Sequence, residues 1–155
     1  MLKLNLPFLS YRDTKERRTM PARQPNILLV DDDAQIRRLL PLVLAESGYN
    51  VRSAADGFTA LVEIRNVIPD VILSDLNMPG MSGFELLSEV RLRFPQIHVI
   101  AMSGAFSGGS VPAGVIADAF YEKGTNMDSL LKIVETMPHP AHPLPNRQLN
   151  MLATV

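Results

Sequence analysis

The sequence predicts an α/β domain in which five strands form one doubly wound parallel sheet with helices on both faces. Three observations point there. Five short apolar runs recur between residues 26 and 122, and segments with helical spacing of apolar residues separate them. That alternation is what a parallel sheet with right-handed crossovers needs. Four of the five runs also end on aspartate, serine or lysine, at the carboxyl edge where such sheets bind their ligands.

The elements follow in order. "NILLV" (26–30) is continuously apolar, as a strand covered on both faces must be. Next, Ile36, Leu39, Leu40, Val43 and Leu44 recur at helical spacing, with Asp33 placed to cap the start and Gly48 to stop the end. Pro41 lies inside and is expected to kink this helix without ending it. "YNVRSA" (49–54) alternates apolar and polar residues and reads as an edge strand. A turn and a helix fill 56–69, closed by Pro69, and "DVILS" (70–74) is the third strand.

Ser82 and Glu85 then stand at capping-box spacing, so a helix is expected over 82–95. "IHVIAM" (97–102) is the fourth strand. The glycine-rich stretch 103–118 falls where the alternation calls for a helix, and a short one is expected near 112–117. "AFYE" (119–122) is the fifth strand. Thr125 and Asp128 repeat the capping-box spacing ahead of an amphipathic fifth helix carrying Leu130, Ile133, Val134 and Met137. No internal repeat is visible.

Length and composition bound the possibilities. The 155 residues, 46% hydrophobic and 20% charged, suit one compact domain. Residues 1–25 hold six Lys and Arg against Asp13 and Glu16, a net charge of +4 that leaves −5 on the remainder. They read as a basic extension ahead of a domain at 26–137, and the prolines after Met137 make 138–155 a tail. The opening "MLKLNLPFLS" is interrupted by Asn5 and Pro7 and runs into a charge cluster, so targeting is not expected, and Met20 is an alternative start.

Whole function classes drop out on the same grounds. The absence of cysteine excludes disulfides, thiol catalysis and Cys-type zinc sites, and is consistent with a reducing, cytoplasmic setting. No apolar run is long enough to span a bilayer. The basic residues of the body are scattered, without aromatic partners at stacking intervals, so direct nucleic-acid binding is not expected.

With the strand order 2-1-3-4-5, the strands ending on Asp31 to Asp33, Asp75, Ser103 and Lys123 are neighbours. Their tips would share one pocket roughly 15 Å across, given a strand spacing of about 4.8 Å. Three carboxylates this close repel one another unless they protonate or bind a cation. An all-oxygen set favours a hard ion, and Mg²⁺ better than Ca²⁺. Magnesium in turn points to phosphate chemistry, and a carboxylate can attack phosphorus to form an aspartyl phosphate. The metal and Lys123 would neutralise the phosphoryl oxygens while Ser103 donates to one of them.

Plainer roles compete for each residue. Asp33 suffices as a helix cap, Asp31 and Asp32 could enrich a helix N-terminus with negative charge, and Asp75 could serve a turn before Pro79 and Gly80. Lys123 alone would be a solvated lysine. It is the coincidence of four strand ends that favours a site. His98 reads as a half-buried or edge residue, and His139 and His142 in the tail look inert.

The runs "ILLVDDDAQIRRLL", "LSDLNMPGMSGFELL", "VIAMSG" and "AFYEKG" resemble the receiver domain of two-component response regulators over residues 26–137. The resemblance implies a flavodoxin-like fold and Mg²⁺. It also implies phosphorylation of Asp75 by a histidine of a sensor kinase or histidine phosphotransfer protein. It assigns the ion to Asp32, Asp75 and the backbone carbonyl of Asn77, with Asp31 assisting through water. Ser103 and Phe120 take the switch hydroxyl and switch aromatic positions, and Lys123 the phosphoryl contact.

Two features depart from the family pattern. Gly124 stands where a proline is usual, which loosens the loop that aims Lys123, and the segment after Ser103 is glycine-rich and short. The expected function is a single-domain phosphoacceptor, not an enzyme on other substrates. It would signal to an unknown downstream protein or pass its phosphate onward. A docking scaffold that is never phosphorylated is the alternative. A Mg²⁺-dependent phosphatase is disfavoured because Asn77 cannot act as its second acid.

Overall fold

The computed structural model describes residues 23–105 and 111–138. Within them, β1 (Asn26–Val30), α1 (Ala34–Glu46), β2 (Asn50–Ala54), α2 (Gly57–Asn66), β3 (Val71–Asp75) and α3 (Gly83–Arg93) alternate strictly. They are followed by β4 (His98–Ser103), β5 (Ala119–Glu122) and α4 (Met127–Thr136). All five strands pair in parallel in the order β2-β1-β3-β4-β5. The alternating strand is indeed at an edge. Among the described residues no helix is long and apolar enough to cross a membrane.

The side-chain period of two splits each strand between two cores. Leu28, Val30, Ile72, Val99, Ala101 and Phe120 pack with α2 and α3 on one face. Ile27, Leu29, Val71, Leu73, Ile100, Met102 and Tyr121 pack with α1 and α4 on the other. This double covering is why the central strands read as unbroken apolar runs.

Local signals set the helix ends. Asp33 caps α1 by accepting from Gln35 N, and the helix runs through Pro41. At its other end Gly48, at φ +91°, donates to Ala45 O while Tyr49 N donates to Leu44 O. That pair of bonds is a Schellman stop, which favours glycine because the backbone turns left-handed there. Asp56 caps α2, and Ser82 and Glu85 close both bonds of the capping box on α3.

Three expectations are corrected. The described residues contain four helices and not five, because 111–118 forms no helix. There Pro112 supplies no N–H, Val115 N turns back to Pro112 O at 3.1 Å, and Gly114 adopts φ +84°. Val111, Val115 and Ala117 still pack on the core, so the apolar pattern is used without helical backbone. The last helix is capped by Asn126, whose side chain accepts from Asp128 N at 3.0 Å, while Thr125 hydrogen-bonds Glu122 O. Leu39 is 57% exposed, so the buried stripe of α1 rests on Leu40 and Leu44.

The extension over residues 1–22 and the tail over 139–155, with His139 and His142, lie outside the described residues.

Candidate functional site

Parallel pairing brings the carboxyl ends of β1, β3, β4 and β5 side by side. Asp31 follows β1 and is completely buried. Its N–H donates to Ala54 O at 3.2 Å and its carbonyl accepts from Arg37 Nη1 at 2.8 Å, which fixes the turn into α1. One carboxylate oxygen, Oδ1, accepts from Asp33 N at 2.9 Å. Asp32, the next residue, is exposed, so the acidic pair has one buried and one exposed member.

Asp75, the last residue of β3, is also buried. Asn77 N donates to its Oδ1 at 3.1 Å, and Lys123 Nζ lies 2.9 Å from its Oδ2. The same Nζ is 2.6 Å from Asp31 Oδ2, so one lysine spans the two buried carboxylates. Lys123 sits just beyond β5, and its N–H donates to Ser103 O at 3.0 Å. The turn after it uses Gly124 at φ +87°. Burial works against the lysine's charge, but Asp31 and Asp75 outweigh it and hold the ammonium above its usual pKa.

The Asp31 pKa is raised as well, which here disfavours the charged form. Desolvation raises its pKa, and Lys123 and the Asp33 N–H offset this only in part. Although Asp31 Oδ2 lies close to the ammonium, it receives no well-angled hydrogen bond. One oxygen from each of Asp31, Asp32 and Asp75 falls within 4.8 Å of the others. An under-satisfied buried oxygen inside a set of three carboxylates fits a hard divalent cation, since nitrogen and sulfur donors are missing from the set.

Ser103 ends β4 and is completely buried. Its Oγ accepts from Asn77 Nδ2 at 2.9 Å and from Ala105 N at 3.0 Å. Phe120 pairs with Ala101 across β4 and β5, and its buried ring packs in the α2/α3 core, on the face where 111–118 lies. The structure thus brings together Asp31, Asp32, Asp75, Asn77, Ser103 and Lys123, and keeps Phe120 in the layer behind them. His98 is half-buried at the opposite end of β4, with Nδ1 3.8 Å from Asp118 Oδ2.

Three supporting contacts were not anticipated. Gly83 packs against the strand end, where a Cβ would overlap the Asp75 carbonyl oxygen and Leu76 Cα. A glycine in the first turn of a helix was the available signal, since glycine is a poor helix former. Arg37 holds the Asp31 carbonyl, and nothing in its spacing marked it out among the arginines of α1. The Asn77 side chain reaches Ser103 across two strands, a contact that only the three-dimensional pairing reveals. A hollow of about 850 Å³ between α2 and α3, lined by Phe58, Leu61, Met81 and Phe84 among others, stands apart from the carboxylates.

Comparison with known proteins agrees with this arrangement. Residues 27–135 match the family described as response regulator receiver domain. The response regulator TrrA of Thermotoga maritima, solved in complex with Mg²⁺ and beryllium fluoride, is 31% identical with a TM-score of 0.69, covering 74% of this chain and 100% of that one. TrrA solved in complex with the histidine kinase ThkA gives 32% identity and a TM-score of 0.69, over 75% of this chain and 100% of that one. The DNA-binding transcriptional regulator NtrC of Salmonella typhimurium is 39% identical over 77 residues, 50% of this chain but only 16% of that protein. Sheet order, acidic cluster and sequence match converge, and the chain belongs to the response regulator receiver domain family.

Proposed function

We propose that the chain is a phosphoacceptor switch in which Asp75 takes a phosphoryl group from a histidine of a sensor kinase or a histidine phosphotransfer protein. The observation that carries this reading is Lys123 Nζ spanning Asp31 Oδ2 and Asp75 Oδ2 beside the three-carboxylate cluster. A lysine held there cancels charge at the oxygen that must attack, and remains beside the phosphoryl oxygens afterwards.

An Asp75 carboxylate oxygen attacks phosphorus, the phosphorus–nitrogen bond to the donor imidazole breaks, and the imidazole leaves with that electron pair and takes up a proton. Asp31, Asp32, Asp75 and the Asn77 carbonyl would hold a Mg²⁺ ion, which would supply charge neutralisation and orient the phosphoryl oxygens. Lys123 pairs with the new dianion and Ser103 donates its hydroxyl proton to it. Phe120, paired with Ala101 two residue pairs behind Ser103 on the sheet, follows the serine and repacks the β4/β5 face. Hydrolysis of the acyl phosphate returns the protein to rest.

The chain therefore regulates and does not turn over other substrates. Its output is an altered contact with a downstream protein or onward transfer to another histidine, in the cytoplasm and without direct contact with nucleic acid or membrane. The test is mass spectrometry after incubation with Mg²⁺ and a small phosphodonor. Wild type gains one phosphoryl group and Asp75→Asn gains none; equal gains in both proteins would sink the assignment.

A further inference from the structure

We infer that the Asn77 side chain is a positioning residue that latches the Ser103 hydroxyl in its resting place, so that phosphorylation must break this bond before the serine can turn. The inference rests on the phosphoacceptor reading and adds a device to it. Asn77 lies two residues after Asp75, and its two nitrogens face different ways. Its backbone N–H donates to Asp75 Oδ1 at 3.1 Å, and its Nδ2 donates to Ser103 Oγ at 2.9 Å. One residue thus ties the tip of β3 to the tip of β4.

Ser103 is completely buried, and a hydroxyl offers two acceptor positions and one proton. Both acceptor positions are filled, one by Asn77 Nδ2 and the other by Ala105 N at 3.0 Å. Among the described residues, Ser103 Oγ makes no hydrogen bond to Asp75. The serine is therefore held toward the loop after β3 and toward its own following backbone. Donation itself uses only the free hydroxyl proton, but on this reading the movement that carries the oxygen onto a phosphoryl group takes it out of reach of Asn77 Nδ2, so that bond stabilises the resting state alone.

A contact made only at rest opposes activation by its own net strength. Its removal shifts the balance toward the active arrangement by about two- to tenfold, the span that the net worth of one neutral hydrogen bond allows. The side chain acts only through Ser103, so the effect must disappear when the hydroxyl is absent.

The experiment measures beryllium fluoride affinity in the presence of Mg²⁺, together with the amide resonances of Ser103 and Phe120. It uses the wild type, Asn77→Ala, Ser103→Ala and the double variant. Asn77→Ala is expected to tighten binding about two- to tenfold and to move both resonances toward their positions in the beryllium fluoride-bound wild type. Asn77→Leu, which keeps bulk but cannot donate, must behave alike. In the Ser103→Ala background, removing the Asn77 side chain must give no gain. A responsive wild type whose Asn77 variants bind equally or more weakly overturns the latch alone. Equal gains with and without the Ser103 hydroxyl overturn it too. A wild type that ignores beryllium fluoride contradicts the phosphoacceptor reading, and the latch falls with it.

Discussion

Two neighbouring regions are built in opposite ways: the tips of β1 and β3, and the connection from β4 to β5. At the tips, each turn is tied by short bonds. Asp31 is held through Ala54, Arg37 and Asp33, and Asp75 through Asn77 and Lys123. Among its described residues, the connection is tied mainly near its ends. It begins with the Ser103–Ala105 bond and closes where Asp118 meets Arg91 and the Val99 N–H, at 2.9 and 2.7 Å. Between them, 111–118 contributes apolar contacts without regular backbone. The contrast separates two jobs. Phosphoryl chemistry needs groups preset to a few tenths of an ångström, whereas a switch needs an element with few bonds to give up when its equilibrium shifts.

Substitutions that bear on this contrast range from severe to silent. Leu73→Ala, fully buried on β3, is expected to cost about 2–5 kcal/mol in urea unfolding, because its cavity is walled by paired strands. Gly83→Ala is expected to cost about 1–3 kcal/mol by overpacking, and to slow phosphorylation because the new methyl displaces the Asp75 carbonyl. A normal phosphorylation rate in that variant would mean that the tip of β3 tolerates movement.

Asp56→Ala removes the α2 cap, which accepts from Thr59 N at 2.8 Å and Thr59 Oγ1 at 2.9 Å, and is expected to cost about 1 kcal/mol at neutral pH. The Thr59 backbone bond holds the Asp56 carboxyl below its usual pKa of 3.8. Its contribution is therefore complete above 3.8 and is lost as pH falls through the lowered value, so wild type and variant should converge in acid. Smallest of all, Ile116→Ala, 48% exposed in the irregular connection, should stay within about 0.5 kcal/mol of wild type. A large loss there would show that the connection is as firmly built as the tips.

The same contrast governs what could be read from the residues. Asp33, Ser82 with Glu85, and Gly48 each announce a helix end through chemistry confined to a few neighbouring residues, and all three act as expected. The apolar runs of β1 and β3 were legible because a strand covered on both faces leaves no polar position. Over 112–117 the alternation of elements argued for a helix and local chemistry against it, and Pro112 and Gly114 prevailed. At the last helix, Thr125 and Asn126 are both good caps, and only the Thr125 bond to Glu122 O in the preceding turn decides between them. The four strand ends were legible as one group, but Asn77 to Ser103 and Arg37 to Asp31 depend on side-chain reach between elements, which no spacing encodes.

The central claim is that Asp75 itself carries the phosphoryl group. Borohydride reduces an acyl phosphate to the alcohol, so treating the phosphorylated protein and sequencing its peptides by mass spectrometry marks the acceptor carboxyl directly. The account predicts homoserine at position 75, only when both Mg²⁺ and phosphodonor were present. Reduction at Asp31 or Asp32, or none at any aspartate of a protein that had gained a phosphoryl group, would contradict it.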